Sequence, residues 1–445
     1  MLRPYQRELA DACMDAVGEG SSPICCAPCG AGKTYIMDDI AARTDGQVLV
    51  VAHRRELLRQ HEGLIGKRPN VRLASIFTEV RHLGEHGQPA LILCDEAHLS
   101  EASSYLKTFK HYGVPVIGFT ATPSRLDGRP LSAYNKLIQG VSADELIAAG
   151  HLAPYTYYAP TLYDVTGLQA KYGDYAAEDL ESIVMRSALF GDVIKHYQRL
   201  AAGMQAIAYC STVNHSQEVA RRFNAAGIPA VHIDATSPAA VRQEALDGFR
   251  AGKYTVLCNV NLISEGISIP ECGCVLGLRP TQSRALYIQQ MCRALRYAPG
   301  KQAILIDCAG NVHRHGMPTA DYKYSLDERV KRQSEFNEAG DYNVRICQSC
   351  FRTFGAGVSQ CPYCGAVYAT TARELQQHKE VELAIIKAEE AVKEQKRLEE
   401  LRADLKAARG LEDYKAIARK NGYKPSWAYV QMKKRTLWRK NRGGV

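Results

Sequence analysis

From residue 23 onward, short apolar runs alternate with longer amphipathic runs, and this alternation restricts the fold more than any other feature. Short apolar runs suit buried strands, and amphipathic runs suit the helices that connect parallel strands. The pattern predicts an α/β fold with two parallel sheets in tandem. The predicted strands are Pro23–Ala27, Gln47–Ala52, Ala90–Asp95, Pro115–Thr120, Gln205–Cys210, Pro229–Ile233, Thr255–Cys258, Cys274–Leu278 and Gln302–Asp307.

The first predicted strand leads directly into the segment APCGAGKT, which precedes an amphipathic run. Its two glycines allow the backbone to curl so that successive amides face a phosphate, and the start of the next helix adds to this anion site. Lys33 is expected to reach the β and γ phosphates of ATP, and Thr34 is expected to bind Mg²⁺. The predicted ATP-binding loop contains Gly30, Ala31, Gly32, Lys33 and Thr34.

A DEAH segment follows the third predicted strand. Its acidic pair, Asp95 and Glu96, stands at the carboxyl end of the strand, where the magnesium of a bound nucleotide lies in this type of fold. Asp95 is expected to hold the metal. Glu96 is expected to orient and deprotonate the attacking water, because hydrolysis needs a base within hydrogen-bond reach.

These motifs belong to an ordered series. LRPYQ, APCGAGKT, VVAHRREL, DEAH and TATP resemble the N-terminal motifs of the DEAD/DEAH-box superfamily two helicases. NVNLISEGISIP at Asn259–Pro270 and QQMCRALR at Gln289–Arg296 are similar to the fifth and sixth motifs of that family. With LRPTQS and DCAGN, the likeness is nearest to the RadD group of bacterial DNA-repair helicases and related phage helicases. It extends over about residues 1–315 and implies two tandem RecA-like lobes with parallel sheets.

The resemblance also implies roles for individual residues. Gln6 would read the adenine edge, and Arg54 would contact the nucleic-acid backbone. Gln289 would lie beside two arginine fingers, Arg293 and Arg296, which stabilise charge on the γ phosphate. Coupling of hydrolysis to lobe movement would involve His98, Thr120, Thr122 and Gly266.

Two positions depart from the family pattern. Cys292 stands where the sixth motif usually has glycine, which adds a side chain at a close-packed turn. Ser268 stands where the fifth motif usually has aspartate, which removes a charge that helps connect the nucleotide to lobe closure. Together they predict a weak or strongly stimulated ATPase.

Two cysteine knuckles, CQSC and CPYCG, are separated by ten residues. Such pairs place four thiolates around a structural zinc at about 2.3 Å, with no open ligand position. The predicted ligands are Cys347, Cys350, Cys361 and Cys364. The chain has fifteen cysteines, an odd number with several in apolar runs, which suits reduced thiols better than disulfides. The neighbouring side chains would form a nucleic-acid surface or a small core: Arg345, Phe351, Arg352 and Tyr363.

The basic character of the chain is confined to its C-terminal end. Residues 414–445 carry ten Lys or Arg and no acidic residue, so of 56 basic residues 46 remain against 47 acidic ones. Cations mixed with flat rings suit phosphates and stacked bases. The alternative is a solubilising end with a small aromatic core of its own. The predicted contacts with nucleic acid are Trp427, Trp438, Lys433, Lys434 and Arg435.

Six segments are expected in chain order. They are lobe 1 at 1–154, a linker and entry to lobe 2 at 155–203, lobe 2 with a polar connector at 204–342, a zinc ribbon at 343–368, a charged helix at 369–410 and a basic aromatic tail at 411–445. Within the charged helix, nine basic and nine acidic residues are interleaved over 372–409, which is typical of a solvated helical face.

The predicted function is that of an ATP-dependent DNA helicase or translocase in repair, recombination or phage replication. It would use ATP, Mg²⁺ and Zn²⁺ and act as a monomer on single-stranded or forked DNA. The charged helix or the zinc ribbon would bind a protein partner. An RNA helicase, and an ATP-gated clamp that binds without unwinding, are the alternatives. Without an apolar run of about 18 residues or a secretion signal, the chain is expected in a bacterial cytoplasm, or in the host cytoplasm if phage-encoded.

Overall fold

The computed structural model describes residues 2–53, 55–123, 131–160, 168, 170–171, 174–185, 187–263, 269–320, 322, 324–326, 344–355, 358, 360–367, 403–405, 407–408, 410–420 and 426–432. The chain divides into two compact units, residues 1–366 and residues 367–445. The first unit contains two α/β lobes and a small cysteine module.

The first lobe is built on a six-stranded sheet. Its strands are β1 (Pro23–Cys26), β2 (Val48–Ala52), β3 (Val71–Ser75), β4 (Leu91–Asp95), β5 (Val116–Thr120) and β6 (Lys136–Gln139). Its helices are α1 (Pro4–Gly18), α2 (Lys33–Arg43), α3 (Arg55–Glu62), α4 (Ile76–Glu79), α5 (Ser103–Tyr112) and α6 (Ala143–Ala148). The order across the sheet is β3-β2-β4-β5-β1-β6, and every pair is parallel. The four central strands are buried throughout, which explains their continuous apolar runs.

The second lobe repeats this architecture. Its sheet contains β7 (Tyr155–Tyr158), β10 (Ala206–Tyr209), β11 (Ala230–Ile233), β12 (Val256–Asn259), β13 (Cys274–Gly277) and β14 (Ala303–Asp307), while β8 (Ala170–Lys171) and β9 (Asp174–Tyr175) form a separate hairpin. The helices are α7 (Ala177–Val184), α8 (Ser187–Ala201), α9 (Val213–Ala225), α10 (Ala239–Arg250), α11 (Arg284–Met291) and α12 (Asn311–His315). The order is β11-β12-β10-β13-β14-β7, again parallel. The prediction of two tandem parallel α/β lobes is confirmed.

Each predicted strand is present, but three further strands of the two six-stranded sheets were not predicted. β3 and β6 lie at the edges of the first sheet, where partly exposed polar residues interrupt the apolar pattern. β7 lies in the segment predicted to be a linker, so that prediction was wrong for Tyr155–Tyr158. The hydroxyl of Tyr157 donates to the buried Asp307 of β14 at 2.9 Å, so this polar group is satisfied inside the lobe.

Helix α9 begins after the N-cap residue Thr212, whose hydroxyl accepts from the backbone N–H of His215. Val219 and Phe223 are buried, as their spacing predicts.

The cysteine module is packed on the second lobe. Its strands β15 (Val344–Ile346) and β16 (Thr353–Gly355) are antiparallel. The Ala159 N–H donates to the Phe351 carbonyl at 2.9 Å. The Arg352 guanidinium lies 5.7 Å from the Tyr158 ring centroid and 4.9 Å from that of Tyr363. Of the side chains expected to form a nucleic-acid surface or a small core, Phe351 and Arg352 therefore serve to join the module to the lobe.

The second unit contains α13 (Leu411–Lys420) and a helix over 426–432. A small core forms between them, and Trp427 packs against it while partly exposed. The buried members are Ala408, Tyr414, Ile417, Ala418 and Ala428. Most of the predicted charged helix lies outside the described residues, as do Lys433, Lys434, Arg435 and Trp438. Among the residues with described placement, no helix has the length and apolarity needed to cross a bilayer.

Candidate nucleotide site

The phosphate loop connects β1 to α2 and needs glycine at two positions. Gly30 has φ 87° and Gly32 has φ 81°, both in the left-handed region. A Cβ atom on Gly30 would lie 2.7 Å from Leu152, and one on Gly32 would lie 2.5 Å from the Gln6 amide nitrogen. The backbone conformation therefore disfavours any side chain at these two positions, and the neighbouring Leu152 and Gln6 side chains would have to shift to admit one.

Lys33 opens α2 and extends back along the loop. Its Nζ donates to the Ala27 carbonyl at 3.4 Å. Burial alone would lower the pKa of Lys33, but the nearby Cys29, Glu96 and Asp95 raise it above its ordinary value. The side chain therefore remains cationic, as a phosphate ligand must.

Asp95 ends β4 with both carboxylate oxygens engaged. Oδ1 accepts from the Glu96 backbone N–H at 2.9 Å, and Oδ2 lies 3.0 Å from His61 Nε2. Burial alone would raise the pKa of Asp95, but the hydrogen bond from His61, the charge of His61 and that of Lys33 lower it. Asp95 is thereby kept ionised and oriented, as a ligand for a divalent cation requires.

His61 was not predicted from the sequence. It lies on α3, one helical turn after Leu57, and both side chains are buried. The sequence offers only a histidine on the apolar face of a helix. Its partner Asp95 cannot be inferred from the sequence, because the two side chains meet only when α3 packs beside β4.

Glu96 adopts an unusual backbone conformation. Its φ of 50° lies in the left-handed region, which is rare for a residue with a side chain and typical of functional sites. His98 Nδ1 lies 3.4 Å from the Glu96 carboxylate and 3.1 Å from the Thr120 hydroxyl. The Thr120 hydroxyl in turn accepts from the Thr122 backbone N–H at 3.1 Å. These contacts link the acidic pair to the end of β5.

The second lobe supplies two arginines, of which Arg293 is buried and Arg296 is partly buried. Arg293 is 7% exposed and lies in a 3-10 turn after α11, while Arg296 follows that turn in an extended conformation. The three-residue spacing of the pair would place both on one face of an α-helix, but α11 ends at Met291. Burial and the charge of Arg293 lower the pKa of Arg296 to about 10. Two neighbouring guanidinium groups that repel each other, one of them buried, are stabilised by an anion, so this turn is suited to phosphate.

A cavity of about 210 Å³ lies between the lobes and contains these groups together. It is lined by Cys29, Gly30, Gly32, Lys33, Thr34, Tyr35, Leu57, Asp95, Glu96, Gln289, Cys292, Arg293 and Arg296. Phosphate ligands from one lobe thus meet cations from the other across one space.

The structure also places Gln6 and Cys292, two further residues that were singled out in the sequence. Gln6 is buried beside the phosphate loop, where its Nε2 donates to the Ala31 carbonyl at 2.9 Å and its Oε1 accepts from the Arg3 backbone N–H at 3.0 Å. Cys292 has an ordinary backbone φ of −70° and is buried. The close-packed turn therefore accommodates its side chain. Arg54, Gly266 and Ser268 lie outside the described residues.

The four predicted zinc ligands come together in the cysteine module. The Sγ atoms of Cys347 and Cys364 are 3.5 Å apart, those of Cys350 and Cys361 are 3.8 Å apart, and all four lie within 4.8 Å of one another. Sulfur atoms at about 2.3 Å from a tetrahedral zinc are separated by about 3.8 Å. The cluster therefore has the size and chemistry of a Cys₄ zinc site.

Comparison with known proteins places these sites in context. The helicase conserved C-terminal domain matches residues 189–298, and the res subunit of type III restriction enzymes matches residues 1–73. A 51.5 kDa protein of Lactococcus phage (isolate 7-9) is 35% identical over 373 residues, which are 81% of this chain and 82% of that protein.

More distant relatives are cellular. A candidate ATP-dependent helicase of Saccharomyces cerevisiae, Irc3, is 26% identical over 340 residues, or 66% of this chain and 49% of the relative. The DNA 3'-5' helicase XPB of Kineococcus radiotolerans is 28% identical over 306 residues, or 61% and 52%. The aligned part spans about half the length of these two relatives. The type ISP restriction-modification enzyme LlaBIII, solved bound to DNA, shares the fold with a TM-score of 0.52 and 17% identity over 69% of this chain and 27% of that enzyme.

Proposed function

Since this chain belongs to the superfamily two helicases, we propose that it is an ATP-dependent DNA helicase or translocase that hydrolyses ATP between its two lobes. One observation carries the proposal: a single cavity is lined by Lys33, Asp95 and Glu96 from the first lobe and by Arg293 and Arg296 from the second. Phosphoryl transfer depends on positioning and on cations around the transferred group, and this cavity provides both.

Each of these residues has a separate role in hydrolysis. Lys33 and the loop amides bind the phosphates, and Thr34 and Asp95 would hold Mg²⁺, which neutralises phosphate charge when bound. Glu96 accepts a proton from the attacking water. Arg293 and Arg296 stabilise negative charge that develops on the γ phosphate.

Hydrolysis would be coupled to lobe movement because the cavity is complete only when the lobes are together. Loss of the γ phosphate removes the anion that holds the two arginines beside the phosphate loop. The hydrogen bond between His98 and Thr120, and the one that the Thr122 N–H donates to the Thr120 hydroxyl, then transmit the change to the end of β5. Gly266 is proposed to act from the facing lobe.

Nucleic acid is the proposed partner, and DNA is preferred over RNA. The preference is supported by the relative that is named a DNA helicase and by the fold shared with a DNA-bound restriction enzyme. We further propose action as a monomer on single-stranded or forked DNA, a protein partner bound through the zinc ribbon or the charged helix, and a bacterial or host cytoplasm as the location. Kinship with the RadD group is part of the same proposal.

ATP turnover measured with single-stranded DNA, duplex DNA, forked DNA and RNA tests the proposal. We expect stimulation by DNA, with Lys33→Ala losing both ATP binding and hydrolysis, and Glu96→Gln losing hydrolysis alone. Arg250→Ala, on an exposed part of α10, is the matched control. Normal hydrolysis in either site variant refutes the site. Stimulation by RNA alone favours an RNA helicase, and turnover without strand separation or movement favours a clamp.

A structural zinc is the second part of the proposal. The sulfur distances support it, because they match four thiolates around one ion. Metal analysis of the purified chain is expected to give one zinc, and Cys347→Ser is expected to lose it. Cys272→Ser, which alters a buried cysteine of the second lobe, should retain the metal. A metal-free wild-type protein with reduced thiols would refute the assignment.

A further inference from the structure

Two cysteines from different lobes meet at the nucleotide cavity. Cys29 lies in the phosphate loop, and Cys292 directly precedes Arg293. Both line the nucleotide cavity, and both also line a second cavity of about 60 Å³ between the lobes. Cys29 packs against the core cluster of the second lobe that contains Cys292. The two cysteines therefore border the same two cavities from opposite sides of the interface between the lobes.

Their surroundings differ in accessibility. Cys29 is partly exposed, whereas Cys292 is 5% exposed. Burial raises the pKa of the Cys292 thiol well above its ordinary value, and the neighbouring Cys29 raises it further. A small oxidant in the cavity reaches Cys29 first, and Cys292 is then positioned to react with the product.

We propose that Cys29 and Cys292 form an oxidisable dithiol that cross-links the two lobes through the nucleotide site. A hydroperoxide is the oxidant. Its O–O bond breaks as the Cys29 sulfur takes one oxygen to become a sulfenic acid, and with hydrogen peroxide the other oxygen leaves as water. The Cys292 sulfur then attacks the Cys29 sulfur, the S–O bond breaks, and a second water leaves. Two thiols lose two electrons in total, and a dithiol reductant reverses the reaction by exchange.

The cross-link acts on the cavity itself, and this consequence rests on the proposed function. A disulfide fixes the phosphate loop against the turn that carries Arg293, so nucleotide exchange and lobe opening are blocked. Cys26 is the competing partner for Cys29 within the first lobe. It is buried in β1, with its Sγ 3.7 Å from the Ala121 carbonyl, which it contacts as a donor.

The test uses the full chain treated with hydrogen peroxide, alkylated, digested and mapped by mass spectrometry without reduction. We expect a peptide pair joined through Cys29 and Cys292. Turnover of ATP should fall by about tenfold or more, because each cycle requires lobe movement, and should return with dithiothreitol. Zinc content measured on the same sample separates this reaction from oxidation of the Cys₄ cluster.

Variants complete the test. For each protein, the rate of ATP turnover after peroxide treatment is divided by the rate before treatment, so the untreated rates of the variants need not equal that of the wild type. Cys29→Ser and Cys292→Ser should lose the cross-link, and the ratio should remain near that of an untreated sample. Cys272→Ser replaces another buried cysteine of the second lobe and should behave as the wild type. A missing cross-link, a Cys26–Cys29 pair, or an unchanged loss in Cys292→Ser overturns the proposal. Because the mapping does not depend on turnover, an inactive protein refutes the proposed function without deciding the cross-link.

Discussion

His61 Nε2 lies 3.0 Å from the Asp95 carboxylate, and both side chains are buried. The contact joins helix α3 to the end of β4. It orients the carboxylate that would hold Mg²⁺, so His61 is a positioning residue that lies behind Asp95 and is not among the residues lining the nucleotide cavity. Partners of this kind tune metal affinity because they fix the direction of the ligand's lone pairs.

Replacement of His61 by alanine should weaken Mg²⁺ binding. The concentration of Mg²⁺ that gives half-maximal ATP turnover is expected to rise about tenfold, with a smaller effect at saturating Mg²⁺. His61→Gln retains a donor and should recover part of the affinity. His82→Ala, an exposed histidine of the same lobe, is the control. An unchanged Mg²⁺ dependence in His61→Ala would show that the contact is only structural.

Arg293→Ala should slow turnover far more than it weakens ATP binding, because the guanidinium acts on charge that develops in the transition state. We expect a loss on the order of a thousandfold in turnover number. Calorimetry of ATP binding beside steady-state kinetics measures both quantities. If affinity and turnover fall in parallel, Arg293 binds the ground state as strongly as the transition state.

Stability of the second lobe should decrease in mild acid through His215. Burial lowers the pKa of His215 from 6.5 to about 4, and its Nδ1 accepts from the Ser211 N–H at 3.3 Å. As the pH falls below about 6.5, the unfolded chain binds a proton that the folded chain excludes, so the contribution present at neutral pH is lost progressively down to about pH 4. The loss at pH 5 is about 2 kcal/mol.

Denaturant unfolding of His215→Gln at pH 7 and pH 5 measures this contribution. The variant should show a smaller difference between the two pH values than the wild type, because glutamine does not titrate. His82→Gln, on the surface of the first lobe, should leave the difference unchanged. An equal pH dependence in His215→Gln and the wild type would assign the acid sensitivity to other groups, including His315, whose pKa is also lowered to about 4.

The two aromatic residues of the last described helix should behave differently. Tyr429 is 55% exposed, with Lys415 5.8 Å from its ring centroid, whereas Trp427 packs against the small core. Tyr429→Ala is expected to lower affinity for single-stranded DNA by about 1–3 kcal/mol while the salt slope stays the same. Trp427→Ala should mainly destabilise the second unit. Equal affinity for single-stranded DNA in Tyr429→Ala and the wild type would show that Tyr429 does not stack on the bases.

The amino-acid sequence was enough to predict the two parallel sheets, the phosphate loop, the acidic pair and the four zinc ligands. These features depend on short-range patterns. A strand buried on both faces needs a continuous apolar run, a left-handed loop needs glycine, and a Cys₄ site needs paired knuckles. Edge strand β3 and the tyrosine-rich β7 lack such a pattern, because polar side chains are tolerated at a sheet edge or satisfied by a distant partner such as Asp307.

The pairs of residues that meet across distant parts of the chain could be identified only in the folded protein. His61 is 34 positions from Asp95, and Cys29 lies on the opposite lobe from Cys292. No local pattern encodes such a pair, because each partner is placed by the packing of its own element. Arg293 and Arg296 show the same limit, since their spacing suits one face of an α-helix but α11 ends at Met291 and a 3-10 turn follows.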